Sequence, residues 1–156
     1  MERTLTFFIF AVTFCVFGII EHAQAQTISG TIGGGTVSRG ATARGVITMS
    51  IPSGLHVNSN RPSSEYAIPT TVRVTGAGIH LGAVSFPRGK NRKFQFSEIA
   101  INVYEGRVSF PFSVTVPANF KASAIKVRAA VRYQACTNEV CYPPKSREIT
   151  ITAHVL

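Results

Sequence analysis

Apolar and polar residues alternate one by one along much of this chain, and long stretches with helical spacing are missing. In residues 107–116, valines and phenylalanines occupy one set of positions, while arginine, serine and threonine occupy most of the other set. Residues 125–134 and 148–155 repeat this pattern. Because neighbouring side chains of a strand point to opposite faces, the alternation predicts three long strands that are each buried on one face.

Shorter segments with the same tendency predict weaker strands near residues 45–51, 70–75, 79–86 and 102–104. Clusters of proline, glycine, serine and asparagine between these segments are typical of turns. About seven short strands, each with one apolar face, bury that face best as two packed sheets, so the sequence predicts an all-β sandwich of one domain. Pro111 cannot donate a ladder hydrogen bond, which predicts an edge or a bulge in its strand.

The first 25 residues have the features of an export signal. Arg3 precedes an apolar run at 5–20, and Ala23-Gln24-Ala25 provides a small-x-small cleavage site. The run is short for a membrane span, and Glu21 follows it directly. We therefore expect a signal peptide at 1–25 that is cleaved near Ala25, and a periplasmic mature protein.

The mature chain is long enough for one domain. Residues 26–41 contain Gly33-Gly34-Gly35 and few large apolar side chains, so we expect a flexible lead-in there. The folded domain is then expected at 42–156.

The sequence is strongly basic, with 16 Lys and Arg against 7 acidic residues, all of them Glu. Without residues 1–25 the balance becomes 15 against 5, a net charge of +10. Such a charge is compatible with nucleic acid, anionic lipid or an acidic protein as partner. The cations are scattered, however, and the one tight cluster is Lys90, Arg92 and Lys93. We therefore expect a basic exported surface and no nucleic-acid binding.

Cys136 and Cys141 are separated by four residues, in the loop between the last two long strands. An exported chain meets an oxidising compartment, so the pair is expected to form a disulfide. A ring this small stabilises a fold by only about 2 kcal/mol on the chain-entropy formula, against about 4.7 kcal/mol for a loop of about 100 residues. The residues alone leave two alternatives open, a structural bridge and a redox-active pair.

The segment 133–144, Tyr-Gln-Ala-Cys-Thr-Asn-Glu-Val-Cys-Tyr-Pro-Pro, carries a family resemblance. It is similar to the active-site loop of the amino-terminal periplasmic domain of the thiol:disulfide interchange protein DsbD. Residues 54–62, 68–71 and 103–106 also resemble members of that family. The resemblance extends from about Gly45 to the end of the chain.

This resemblance implies an immunoglobulin-like fold with a cysteine pair that cycles between dithiol and disulfide. Cys141 would form the mixed disulfide with a partner, and Cys136 would resolve it. Family members also shield their cysteines with an aromatic side chain of a cap loop. The residues implied to support the loop, or to form a possible cap, are Tyr133, Gln134, Tyr142, Pro143, Pro144, Phe94 and Phe96.

The implied partners are thioredoxin-like periplasmic proteins or domains. Because the chain ends at Leu156, we expect the membrane electron transporter of this family to be on a separate chain. The clients implied are exported isomerases or cytochrome c maturation factors. His56 or Asn58 stands where some members carry aromatic residues near the cysteines.

The sequence offers little support for other chemistry. His56, His80 and His154 lack the spacing of a zinc site, and no phosphate-binding loop or nucleophile elbow occurs. We therefore expect no metal, no cofactor and no small-molecule substrate. The main alternative to an electron relay is a non-catalytic immunoglobulin-like binding module with a structural disulfide.

Overall fold

The computed structural model describes residues 26–156, so the predicted signal segment at 1–25 lies outside the described residues. The regular secondary structure of the described chain consists of β-strands and one 3-10 turn at Gly33–Gly35. Its strands are β1 (Thr27–Ile32), β2 (Thr36–Val37), β3 (Thr42–Ser50), β4 (His56–Asn58), β5 (Thr71–Gly76), β6 (His80–Leu81), β7 (Lys90–Arg92), β8 (Ile101–Tyr104), β9 (Arg107–Thr115), β10 (Ala124–Tyr133), β11 (Ala135–Cys136) and β12 (Lys145–Val155).

The strands form two four-stranded sheets and a third, smaller four-stranded sheet. The first sheet has the order β1-β3-β9-β6, and the second has the order β2-β12-β10-β5. The third sheet, β11-β4-β8-β7, carries the cysteine hairpin through β11. All pairings are antiparallel except that of β2 with β12.

The inward faces of the long strands build the main core. Residues of β9 and β10 alternate between buried and more exposed positions, as the sequence pattern predicts. Phe110, Val127 and Tyr133 are completely buried in this core. The predicted all-β, immunoglobulin-like sandwich is therefore confirmed. No helix within residues 26–156 has the length and apolarity needed to cross a bilayer.

The segment 26–41 is not the flexible lead-in that its composition predicts. Six of its residues form β1, which pairs along its whole length with β3, and two more form β2 beside β12. The shortage of large side chains has a packing reason, since a Cβ atom on Gly30 would lie 2.3 Å from Cδ1 of Ile151 in β12. The glycine thus permits close approach of the two sheets, and the segment belongs to the folded domain.

Pro111 lies inside β9, where it is opposite Val46 of β3. On the other side of β9, the strand β6 pairs only with the last two residues, Val114 and Thr115. The carbonyl of Pro111 accepts a hydrogen bond from the Ser85 amide at 2.8 Å. The backbone N and C=O of one strand residue point to the same side of the strand. The Pro111 nitrogen, which cannot donate, therefore faces the segment that contains Ser85 and not β3.

Candidate functional site

The two cysteines face each other across a short hairpin that continues from β11. The Tyr142 amide donates to the Ala135 carbonyl at 2.9 Å, and the Thr137 amide donates to the Val140 carbonyl at 2.8 Å. Cys136 and Cys141 lie between these two bonds, with their Cα atoms 4.0 Å apart, and their sulfurs form a disulfide. The backbone bonds alone already hold the two residues opposite each other, as expected for a non-hydrogen-bonded antiparallel pair.

The turn of this hairpin is built without glycine. Every residue with a positive φ in the described chain is a glycine, so Asn138 and Glu139 do not adopt the left-handed conformations that most two-residue hairpin turns require. Instead, the Thr137 hydroxyl accepts hydrogen bonds from the Glu139 and Val140 amides at 3.2 and 3.1 Å. The side chain therefore replaces part of the usual turn hydrogen bonding.

The two cysteines differ sharply in exposure. Cys136 is completely buried, whereas Cys141 is exposed to solvent. A protein thiolate that approaches this disulfide meets Cys141 first. The geometry therefore distinguishes an outer from an inner cysteine.

The inner cysteine lies beside a buried histidine. In the pairing of β4 with β11, Cys136 is directly opposite His56, so the two side chains share one face of the third sheet. The His56 residue is 3% exposed, and its ring stacks on Phe94 with ring centres 4.0 Å apart. Burial lowers the pKa of the His56 imidazole from its usual 6.5, although the charge of Glu105 acts in the opposite direction.

Gln134 connects the hairpin to the loop that follows β4. Its Oε1 atom accepts hydrogen bonds from Asn58 Nδ2 at 3.1 Å and from the Ile68 amide at 3.3 Å. Its Nε2 atom donates to the Tyr142 carbonyl at 3.2 Å, one residue beyond the outer cysteine. Asn58 is buried and donates a further bond to the Ile68 carbonyl at 3.0 Å. This network fixes the position of the strand segment that carries Cys141.

Cys141 lines a groove of about 650 Å³ between the loop 63–67 and the segment 96–101. Apolar side chains of Tyr66, Phe96 and Ile99 line this groove, and each of them is at least 40% exposed. The lining also contains Glu65 and Glu98 but no lysine or arginine. On a strongly basic chain, the surface beside the outer cysteine is thus apolar with acidic residues.

A surface ion pair lies at the end of β8. The Arg92 guanidinium donates to both carboxylate oxygens of Glu105, at 3.1 and 2.9 Å, and the Lys90 ammonium lies 3.6 Å from Oε2. The hydrogen bond from Arg92 lowers the pKa of Glu105 below its usual 4.5. This carboxylate is the charged group that acts on His56.

The structure brings most of the predicted site residues to the hairpin. Gln134 and Tyr142 are joined by a hydrogen bond, and Pro143 and Pro144 are exposed in the link to β12. Phe96 lines the groove together with Cys141, and Phe94 covers His56 while it packs against Ile101 and Val103. Tyr133 differs, because its ring belongs to the main core and its buried hydroxyl has no hydrogen-bond partner among the described residues.

Other groove residues were not predicted, among them Tyr66, Glu98 and Ile99. They lie in loops without periodic patterns, so no local signal marks them. The sequence analysis assigns His56 no role beside Cys136, because its position opposite that cysteine depends on pairing across 80 residues.

An all-β sandwich with a short-range disulfide at an exposed groove defines a small domain with a candidate thiol-disulfide site. The chain belongs to the family described as thiol:disulfide interchange protein DsbD, N-terminal, which matches residues 35–153. The predicted family is confirmed. No curated protein matches the chain.

Several solved structures are similar to the chain, among them two N-terminal domains. The N-terminal periplasmic domain of ScsB from Proteus mirabilis has a TM-score of 0.54 at 12% identity, over 80% of this chain and 45% of that chain. This chain therefore spans less than half of the ScsB chain, and the likeness supports the fold alone. The reduced N-terminal domain of Neisseria meningitidis DsbD has a TM-score of 0.45 at 22% identity, over 70% of this chain and 80% of that chain.

Proposed function

We propose that this chain is a periplasmic thiol:disulfide exchange domain of the protein-disulfide reductase type. It relays electrons between a thioredoxin-like donor and exported client proteins through Cys136 and Cys141. Membership of the DsbD N-terminal family supports thiol:disulfide exchange as the chemistry. The identity of both partners is part of the proposal.

One observation carries the proposal, namely the apolar surface around the outer cysteine. Six large hydrophobic side chains are exposed within residues 26–156, and all except Leu156 lie in the groove or next to Cys141 in sequence. The five side chains in the groove or beside Cys141 are Tyr66, Phe96, Ile99, Val140 and Tyr142. Apolar residues that form one patch on a solvent-exposed surface are typical of a protein docking site. This docking surface has a reactive sulfur at its border.

The proposed exchange follows from the different exposure of the cysteines. A donor thiolate attacks the Cys141 sulfur, the bond to Cys136 breaks, and Cys136 leaves with the electron pair. A second donor thiol then releases the reduced domain. In the second half of the cycle, in which the client is reduced, the Cys141 thiolate attacks a client disulfide, and Cys136 resolves the mixed disulfide.

The aromatic segment around Phe94 and Phe96 is proposed to act as the cap. Its backbone contacts the hairpin, since the Gln95 amide donates to the Asn138 carbonyl at 3.4 Å. Phe96 is 40% exposed in the groove, whereas Phe94 is buried. We therefore assign shielding of the outer cysteine to Phe96 and shielding of the inner site to Phe94.

A structural bridge is the alternative. The hairpin is already closed by two backbone bonds, and the bridge would add only about 2 kcal/mol by chain entropy. This small gain favours exchange over a purely structural role.

Trapping with matched variants tests the proposal. The variant Cys136→Ser leaves the exposed Cys141 free, and we expect it to form a mixed disulfide with an oxidised thioredoxin-like protein, which alkylation of the remaining partner thiol preserves. The control Cys141→Ser leaves only the buried Cys136 free and is expected to trap at least ten-fold less. Equal trapping by both variants, or none by Cys136→Ser, would contradict the proposal.

A further inference from the structure

The buried imidazole of His56 has no role in the exchange steps described so far. It lies directly opposite Cys136, and directly opposite residues of an antiparallel pair have Cβ atoms about 4.5–5.5 Å apart on the same face. Phe94 covers the ring by stacking, and the residue is 3% exposed. The inner sulfur and the imidazole thus share one enclosed space.

The Nε2 atom of His56 is buried and has no hydrogen-bond partner within residues 26–156. Buried polar atoms are normally paired, so an unpaired one requires an explanation. In the disulfide form, Cys136 carries no proton to donate. Reduction creates a thiol S–H on the residue directly opposite, and a neutral imidazole nitrogen can accept it.

From this arrangement, and on the basis of the proposed function, we infer that His56 accepts the Cys136 proton when the mixed disulfide at Cys141 is resolved. A buried thiol is a poor nucleophile, because the thiolate is the attacking species and an apolar surrounding disfavours it. A base within the same enclosed space removes this obstacle.

The step balances in atoms and electrons. The Cys136 S–H bond breaks and its proton moves to His56 Nε2. The Cys136 thiolate then attacks the Cys141 sulfur, so the Cys136–Cys141 bond forms and the bond from Cys141 to the client sulfur breaks. The electron pair of that bond leaves on the client sulfur as a thiolate, which reduces the client, and the dithiol becomes the disulfide.

Few charged groups face the imidazole. Cys136 lies across from it on β11, Phe94 covers it, and Asn138 lines the same surface depression of about 400 Å³ as His56 and Glu105. Glu105 is the charged residue there, and its carboxylate is paired with basic side chains. The depression also offers the imidazolium proton a route to solvent.

The expected effect follows from thiol ionisation. A cysteine with the ordinary pKa of about 8.5 is only about 3% thiolate at pH 7, and burial decreases that fraction. A neighbouring base can therefore accelerate resolution by about 10- to 100-fold at pH 7. With the base present, the rate is nearly constant from about pH 6.5 to 8, whereas without it the rate rises about ten-fold per pH unit.

A chromogenic aromatic disulfide, dithiobis(nitrobenzoate), measures this step without any protein partner. Attack by Cys141 of the reduced domain releases the first thionitrobenzoate, and resolution by Cys136 releases the second. We expect His56→Phe, which keeps an aromatic ring against Phe94, to slow only the second release by about 10- to 100-fold at pH 7. His56→Gln tests the same loss with a polar side chain, and the exposed His154→Gln is the control.

The outcomes separate this inference from the proposed function. If the wild type releases no second thionitrobenzoate, the proposed exchange itself fails. If the second release occurs, but both His56 variants match the wild type in rate and pH dependence, exchange stands and the role of His56 is overturned. An unchanged first release in the variants shows that the reactivity of Cys141 is preserved.

Discussion

Gln134→Met removes the side-chain hydrogen bonds that connect the cysteine hairpin to the loop after β4, while it nearly preserves side-chain volume. Three bonds are lost, two accepted from Asn58 and the Ile68 amide and one donated to the Tyr142 carbonyl. A buried donor left without a partner costs about 1–3 kcal/mol. Asn58 keeps its bond to the Ile68 carbonyl, and the exposed Tyr142 region can be hydrated. The expected loss of unfolding free energy is therefore about 2 kcal/mol.

Urea denaturation of the oxidised domain measures this loss. Gln95→Met is the matched control, because Gln95 is exposed and its side chain makes no hydrogen bond in the described structure. Surface changes of this kind alter stability by less than about 0.5 kcal/mol. If Gln134→Met lowers the free energy of unfolding no more than Gln95→Met does, the network does not hold the hairpin in place.

Three further changes test other parts of the structure. Gly30→Val should destabilise by about 1–3 kcal/mol in urea denaturation, since its Cβ would collide with Ile151, and an unchanged midpoint would contradict the close packing of the sheets. Phe94→Ala should raise the pKa of His56 towards 6.5 in an NMR titration, because it removes part of the burial that lowers this pKa, and an unchanged pKa would argue against shielding. The folded-state pKa of Glu105 is lowered, so its stabilising effect is present above about pH 4.5 and is lost as the pH falls through the folded value. Stability differences between wild type and Glu105→Gln should therefore shrink on acidification, and a pH-independent difference would contradict the ion pair.

The sequence predicts the long strands well, since their alternation is created by burial of one face. The predicted limits of β9 and β10 differ from the observed ones by at most one residue at each end. The strand β12 begins three residues earlier than predicted, because Lys145 pairs with Tyr133 although its own segment is exposed. In that segment, backbone pairing with a long neighbour decides the structure.

Short strands without alternation are missed. All three residues of β4 are buried and all three of β7 are exposed, so neither shows a period of two. The predicted strand at 79–86 is reduced to β6, because the rest contacts β9 only through separate bonds such as Gly82 to Ser113. β1 is missed for a different reason, since the lack of large side chains that suggested flexibility reflects close packing, which Gly30 permits against Ile151.

The cysteine loop is recognisable in the sequence because its residues are adjacent. The difference in burial between the two cysteines is not recognisable, since Cys136 pairs with His56 of β4 and Phe94 covers that histidine, and both are distant in sequence. The groove likewise joins the loop 63–67 with the segment 96–101. Local sequence thus predicts the cysteine pair, and long-range pairing decides its surroundings.

The most direct test of exchange at Cys136 and Cys141 is the equilibrium reduction potential of their bond, measured in a series of thiol-disulfide buffers. We expect a value between about −270 and −180 mV, the range from thioredoxin to protein disulfide isomerase. A potential below about −300 mV would identify a structural disulfide and would contradict the proposed relay.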